Sequence, residues 1–211
     1  MKRAFKNILF SSILLLTIDM QAQTDGWKTE KANDGKITVT SRVSEWTNNL
    51  GNSVPLVEYV ATSTDFMNLQ NCIAVMKDVS KHKEFLDLKK YERIRTLSEN
   101  EWLNYYVFSA PWPFSPTDCV VKVSFYEDKK AKTAVFNFTA APDMMKRTTM
   151  KRFEVYSFTY AFRDLGANKV EVTVSARMAL TVKVPQWMLR ASLPGSAADP
   201  LQKLIKTISD H

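Results

Sequence analysis

The stretch Lys169-Val170-Glu171-Val172-Thr173-Val174-Ser175-Ala176-Arg177-Met178-Ala179-Leu180 decides the fold. Val170, Val172, Val174, Ala176 and Met178 recur at every second position, and Lys169, Glu171, Thr173, Ser175 and Arg177 fill the gaps between them. Successive side chains of a strand point to opposite faces, so this strand has one dry face and one wet face. A dry face of that kind has to be covered by another element of the chain.

Working outward toward the N-terminus, the same period-2 alternation repeats between turn signals. A strand from Phe153 to Arg163 turns at Leu165-Gly166-Ala167-Asn168 into the quoted one, and it carries Tyr156, Phe158, Tyr160 and Phe162 on one face. Before it, Ala134, Phe136 and Phe138 alternate with Val135, Asn137 and Thr139, and Cys119, Val121, Val123 and Phe125 alternate with Val120, Lys122 and Ser124. Pro111-Trp112-Pro113-Phe114-Ser115-Pro116 reads as a loop, because prolines at this density cannot supply a sheet ladder. Strands near Lys90 to Leu97 and Glu101 to Ser109 form a hairpin through Ser98-Glu99-Asn100. Earlier still, strands at Ile37 to Arg42 and Val54 to Thr62 follow turns at Asn33-Asp34-Gly35 and Gly51-Asn52. Between them and the hairpin a helix is expected from Met67 to Asp78, with Leu69, Ile73 and Met76 at helical spacing and Ser63 or Asp65 as its cap.

Toward the C-terminus, Pro185 starts a turn containing Trp187 and Met188, and Pro194-Gly195 is expected to interrupt it. Leu201, Leu204, Ile205 and Ile208 then repeat at helical spacing. This is the long amphipathic element able to cover the dry sheet face, so the sheet must wrap it. The expected fold class is α+β: a curved antiparallel sheet gripping a long C-terminal helix.

Residues 1–22 read as a leader separate from the domain at 23–211. Lys2, Arg3 and Lys6 precede the apolar run Ile8 to Ile18, and Ala22 is a suitable small residue before a cut. Ser11 and Ser12 interrupt that run, which falls well short of the ~20 apolar residues of a membrane-crossing helix. No cysteine lies near the cut to carry a lipid anchor, so a soluble, exported protein of the periplasm or the extracellular space is expected. The remaining chain suits one domain with its own core. Losing three cations and Asp19 takes the net charge from +7 to +5, and the remaining basic residues are scattered among acids, which argues against nucleic acid as a partner. The chain is expected to be monomeric.

Chemistry-bearing residues are few. His82 lies in a polar joint after the helix and His211 ends the chain, so neither a metal site nor a Cys/His dyad is expected, and no cofactor. Cys72 and Cys119 each fall in an apolar segment and read as a bridge or as two buried thiols. Asp118 and Glu58 are the carboxylates to consider as acid and base, and also read as surface or loop-anchoring groups.

Several segments, in order, carry a resemblance to a known family. They are Trp27, then Asp34-Gly35-Lys36-Ile37-Thr38-Val39-Thr40-Ser41-Arg42, then Met76-Lys77-Asp78, then Pro111-Trp112-Pro113 with Thr117-Asp118, and finally Val184-Pro185-Gln186-Trp187. In that order and spacing they resemble the START family of lipid-binding domains, within the helix-grip superfamily. Thr117 stands where the family's Pro-Trp-Pro loop ends in an Arg before the Asp, so the family's ion pair from that position is not carried over.

The resemblance implies an internal cavity between sheet and terminal helix for a sterol, phospholipid or other apolar ligand, moved between membranes without catalysis. Val121, Val123, Phe136, Phe138, Val172, Val174 and Ala176 are then candidates for its wall, with Trp187, Leu201, Leu204 and Ile205 above them. Tyr156, Phe158 and Tyr160 either line it or pack the core, and an inward tyrosine hydroxyl offers a polar handle. Access is expected by a hinge at Pro194-Gly195 or by parting of the loops Pro111 to Pro116 and Pro142 to Arg152. The second loop sets Met144, Met145 and Met150 beside Lys146, Arg147, Lys151 and Arg152, a composition suited to transient contact with an anionic membrane. The competing readings are a small grip-fold enzyme of polyketide-cyclase type and a filled scaffold that binds another protein.

Overall fold

The computed structural model describes residues 26–110 and 114–211, so the leader and Pro111-Trp112-Pro113 lie outside the described residues. Ten strands form one sheet: β1 (Lys28–Ala32), β2 (Ile37–Thr47), β3 (Ser53–Phe66), β4 (Leu88–Ser98), β5 (Glu101–Phe108), β6 (Thr117–Asp128), β7 (Thr133–Ala140), β8 (Lys151–Arg152), β9 (Tyr156–Gly166) and β10 (Lys169–Ala179). Their order is β1-β2-β3-β10-β9-β7-β6-β5-β4, with all neighbours antiparallel. The two-residue β8 sits off this path, paired in parallel with β6. The helices are α1 (Leu69–Lys77), α2 (His82–Phe85) and α3 (Gln186–Ser209).

The quoted strand is β10, paired on one side with β3 and on the other with β9. Its register sets Val172 opposite Phe162 and Val174 opposite Tyr160, so the apolar faces of neighbouring strands coincide. That shared face, with α3 laid against it, is the main core. Of the segments bearing the family resemblance, Trp27 and Arg42 meet directly: the guanidinium lies over the indole ring, 5.0 Å from its centroid. Arg42 also pairs with Glu58 at 2.6 Å on the outer face.

The structure corrects the sequence reading at four places. Neither Ser63 nor Asp65 caps α1, because both are ladder residues of β3, which pairs with β10 as far as Phe66. The cap is Asn68, whose side-chain oxygen accepts from the amides of Gln70 and Asn71. The strand expected from Phe153 begins at Tyr156, since the chain first pairs Lys151 and Arg152 with β6. Pro194-Gly195 does not interrupt the closing helix, which runs unbroken from Gln186 to Ser209 with Pro194 and Pro200 inside it. Each proline forgoes one helix hydrogen bond, and the packing of Leu193, Ala197, Leu201, Leu204, Ile205 and Ile208 on the core offsets the loss. Lastly, His82 is not in a polar joint but 1 % exposed in the interior.

Two polar anchors hold elements to opposite faces of the sheet. On the outer face Arg152 meets Asp118 through both nitrogens, Nε to Oδ1 and Nη2 to Oδ2, each at 2.8 Å, and both side chains are buried. Tyr105 and Thr148 also donate to Asp118 Oδ2, at 3.2 and 2.7 Å. Arg152 further donates to the carbonyls of Pro142, Met145 and Lys146, stapling residues 142–152 over β6. The guanidinium missing at Thr117 is thus supplied from Arg152, 34 residues beyond Asp118. Burial pushes the Asp118 carboxyl up, but the Arg152 and Thr148 hydrogen bonds outweigh it and hold the group below the usual carboxylate range.

On the inner face His82 Nε2 lies 3.0 Å from the Met76 carbonyl and Nδ1 lies 2.6 Å from the Tyr106 hydroxyl. A carbonyl only accepts, so Nε2 carries the proton in the neutral ring, and Nδ1 accepts from Tyr106. Tyr106 in turn accepts from Asn104 Nδ2 at 2.7 Å, which gives every bond in the chain a direction. Burial pulls the His82 pKa down to about 4, against the opposing pull of the hydrogen bond to Met76. Cys72 and Cys119 are free, buried thiols, and burial pushes the Cys72 thiol up to about 12.

Two outcomes follow for stability. Arg152→Met leaves Asp118 buried and uncompensated, so urea unfolding is expected to show a loss of about 3–5 kcal/mol, with Asp118→Asn/Arg152→Met recovering part of it. A loss within experimental error would remove the anchoring role. For His82, the unfolded chain binds a proton below its ordinary pKa of 6.5 that the folded chain refuses until about 4. Stability therefore falls as pH drops through that window, by about 3 kcal/mol from this group. His82→Phe is expected to lose that much less than the native chain between pH 7 and pH 4, and equal losses would acquit His82.

Candidate functional site

The N-terminal half of α3 does not seat fully on the sheet. Leu189, Leu193, Ala197 and Leu201 follow one another at four-residue spacing and so share the face turned to the strands. Ser192 and Ser196 flank that row, and their hydroxyls turn back to the carbonyls of Leu189 and Leu193. Alanine and serine are short, whereas the opposing strands carry Tyr59, Tyr156, Phe158 and Tyr160, whose rings stack on one another instead of on the helix. Tyr156 and Phe158 are stacked at 4.5 Å between centroids, and Tyr59 meets Phe158 edge-on at 6.2 Å. Farther along, Leu204, Ile205 and Ile208 are large and buried, and the contact closes.

The result is an apolar cleft of about 270 Å³, partly open to solvent, between α3 and strands β3, β9 and β10. Phe108 closes one end, and Leu86, Asp87 and Leu180 stand at its rim. The described residues supply no hydrogen-bond partner for the hydroxyls of Tyr59, Tyr156 and Tyr160. Burial raises all three hydroxyls' pKa values, so they are neutral donors and acceptors at ordinary pH. Chemically the cleft accepts apolar surface and offers a few uncharged hydrogen-bonding points, with Asp87 the one acidic residue of its lining. Behind it, His82 packs against Phe85 and Phe138, and Phe85 packs against Tyr160.

Of the residues singled out from the sequence, Tyr156, Phe158, Tyr160, Val174 and Leu201 line this cleft. Val121, Val123, Phe136, Phe138, Val172, Ala176, Leu204 and Ile205 are buried in the core that supports it, away from its walls. Trp187 is not over the cavity: it is 69 % exposed. Two residues back from the inward Leu189 is about 200° of helical turn, which carries Trp187 to the far side of α3. The wall residues passed over were Val57 and Tyr59 on β3, Phe85 and Phe108, and the helix row from Leu189 to Ala197. Their signal was present in the small-residue run Ser192 to Ala198, which reads as a break until the helix is known to continue.

Neither carboxylate considered as an acid or base reaches the cleft. Asp118 and Glu58 alternate with the inward residues Cys119, Val57 and Tyr59, so both point to the outer face, where arginines pair with them. Among the described residues no group of His, Cys, Asp and Glu is arranged to hold a metal ion.

No protein-family model matches the sequence, and no curated protein does. Solved structures match closely in shape. A STAR-related lipid transfer protein from Xanthomonas axonopodis superposes with a TM-score of 0.71 over 88 % of this chain and 99 % of its own, at 21 % identity. Human STARD10 does so with a TM-score of 0.70, covering 89 % of this chain and 74 % of that one, at 15 % identity. The Zhui aromatase/cyclase from a Streptomyces species is more distant, with a TM-score of 0.50 over 72 % of this chain and 93 % of its own, at 11 % identity. The ten-stranded antiparallel grip on a C-terminal helix, matched along almost the whole of a STAR-related structure, gives this chain a START-like helix-grip fold.

Proposed function

We propose that this protein binds one apolar small molecule, a lipid or sterol-like ligand, in the cleft beneath α3 and carries it between membranes. The observation that supports the reading most is the cleft itself, where short helix side chains face stacked aromatic rings and three tyrosine hydroxyls stand without hydrogen-bond partners among the described residues. Burying ~300 Å² of ligand surface at ~25 cal/mol per Å² yields ~7 kcal/mol before ordering costs, in keeping with micromolar affinity. A volume of about 270 Å³ stands just below the ~300–1,000 Å³ of small-molecule pockets, so the ligand enters by widening the cleft or leaves part of itself at the open rim.

The segment that moves is the N-terminal part of α3, ahead of Pro194. It has the lightest packing on the core, while the alternative door at residues 142–152 is bolted by the Asp118–Arg152 pair. Similarity in fold to lipid-transfer proteins favours binding and transfer over catalysis. The cyclase-type reading draws on the distant aromatase/cyclase likeness, but the two carboxylates weighed for it, Asp118 and Glu58, both face away from the cleft, which leaves Asp87 as the one carboxylate of its lining. Export ahead of folding completes the proposal, with residues 1–22 removed and the domain delivered to the periplasm or the exterior.

Native mass spectrometry of the purified chain, followed by solvent extraction, is expected to show a bound lipid-like molecule at a ratio of one to one. Ala197→Trp fills the cleft from the helix side and is expected to reduce capture of that molecule at least tenfold, with Tyr160→Phe causing a smaller loss. Capture unaffected by Ala197→Trp in a folded variant would sink the assignment. Separately, intact-mass measurement of protein recovered from the periplasmic or culture fraction is expected to start at Gln23, and recovery of the full-length chain from the cytosol alone would refute export.

A further inference from the structure

A second cleft, about 370 Å³, lies on the opposite side of the sheet from the first. Val54, Ala179 and Trp46 in its lining belong to a small apolar cluster separate from the main core, which Leu56 and Val155 complete. These strand residues alternate with inward ones such as Val57 and Met178, so the sheet itself divides the two clefts. Leu50, 82 % exposed on the turn between β2 and β3, overhangs one side.

The rim carries both signs of charge. Arg147, Lys151 and Lys183 contribute cations, and Arg152 is already committed to Asp118. Lys151 donates to the Thr181 carbonyl at 3.2 Å, whereas among the described residues Arg147 and Lys183 have no carboxylate within ion-pair distance. Glu154 is the acid of the cleft, and its Oε2 is buried with no hydrogen-bond partner among the described residues. A buried carboxylate oxygen without a donor is costly, and natural proteins retain few of them. Glu154 lines the cleft, so a donor entering from outside the chain would satisfy it once the side chain turns toward that donor. An anion alone would meet Arg147 and Lys183 and leave Glu154 orphaned and repelled; a cation alone would do the reverse.

We propose that this outer cleft binds a zwitterionic amphiphile. Its ammonium donates to Glu154 and lies against the ring of Trp46, its anionic group rests between Arg147 and Lys183, and its tail covers the floor at Val54 and Ala179. Leu180 lines both clefts, but none of the groups assigned here to the amphiphile's charges or tail lines the cleft beneath α3, and the proposal does not rest on that cleft being occupied.

Calorimetric titration with short-chain probes kept below micelle concentration tests this. The probes are octyl phosphoethanolamine, octyl phosphate, octylamine and chain-free phosphoethanolamine. The doubly charged octyl ester is expected to bind most tightly. Glu154→Gln is expected to weaken it at least tenfold, to the level of octyl phosphate, without weakening octyl phosphate itself. Arg147→Ser/Lys183→Ser is expected to weaken both phosphates while sparing octylamine, and Ala197→Trp in the inner cleft is expected to change none of these. The proposal is overturned by no binding, by zwitterion binding that survives Glu154→Gln, or by binding lost in Ala197→Trp. Equal affinity for chain-free phosphoethanolamine would transfer the site to a soluble zwitterion and overturn the amphiphile.

Discussion

The structure depends on a mismatch of side-chain size between α3 and the sheet it closes. A concave antiparallel sheet with a continuous apolar face needs a cover, and one long helix has to serve along its whole length. Where α3 carries Leu201, Leu204, Ile205 and Ile208, it fills the concavity and the packing is that of an ordinary core. Where it carries Ser192, Ser196 and Ala197, it spans the concavity without filling it, and the aromatic residues of β9 and β3 stack among themselves instead. The same helix therefore packs a core at one end and leaves an open cleft at the other.

The polar anchors fix elements to both faces of the sheet. Asp118 and Arg152 form a bidentate pair inside the protein, and the remaining guanidinium hydrogens reach three carbonyls of the overlying segment. Such a pair is a poor source of net stability but a strict specification of geometry, because either partner alone would be a buried charge. His82 acts similarly on the inner face, tying the end of α1 to β5 through Met76 and Tyr106. With both faces pinned, the beginning of α3 is the more lightly buried part of the cover above the cleft. The two clefts share the sheet as a common wall and differ in chemistry: aromatic rings and tyrosine hydroxyls with a single carboxylate on the inside, both signs of charge on the outside.

Much of the architecture was legible from alternation alone. The strand at 169–180, its partner carrying Tyr156, Phe158 and Tyr160, and the amphipathic pattern from Leu201 onward all stand where periodicity placed them. Errors arose where a residue's local meaning was overridden by packing. Pro194-Gly195 is a helix breaker in isolation, yet tertiary contacts on both sides carry the helix through it. Ser63 and Asp65 have capping chemistry, but the ladder with β10 claimed them first. The polar segment around His82 gave no sign that an imidazole would be drawn inside, because its partners Met76, Tyr106 and Asn104 lie on other elements.

The amino-acid order by itself determined that one face of a curved antiparallel sheet would be dry and that the C-terminal helix would cover it, since strand and helix periods are properties of local chain geometry. It also held the aromatic residues that wall the cleft. Tertiary structure alone decided where the cover fails to fill the concavity, which arginine answers Asp118, and which side of α3 carries Trp187. Those outcomes depend on the register and rotation of elements distant in sequence, and a void is defined by the atoms on both of its sides.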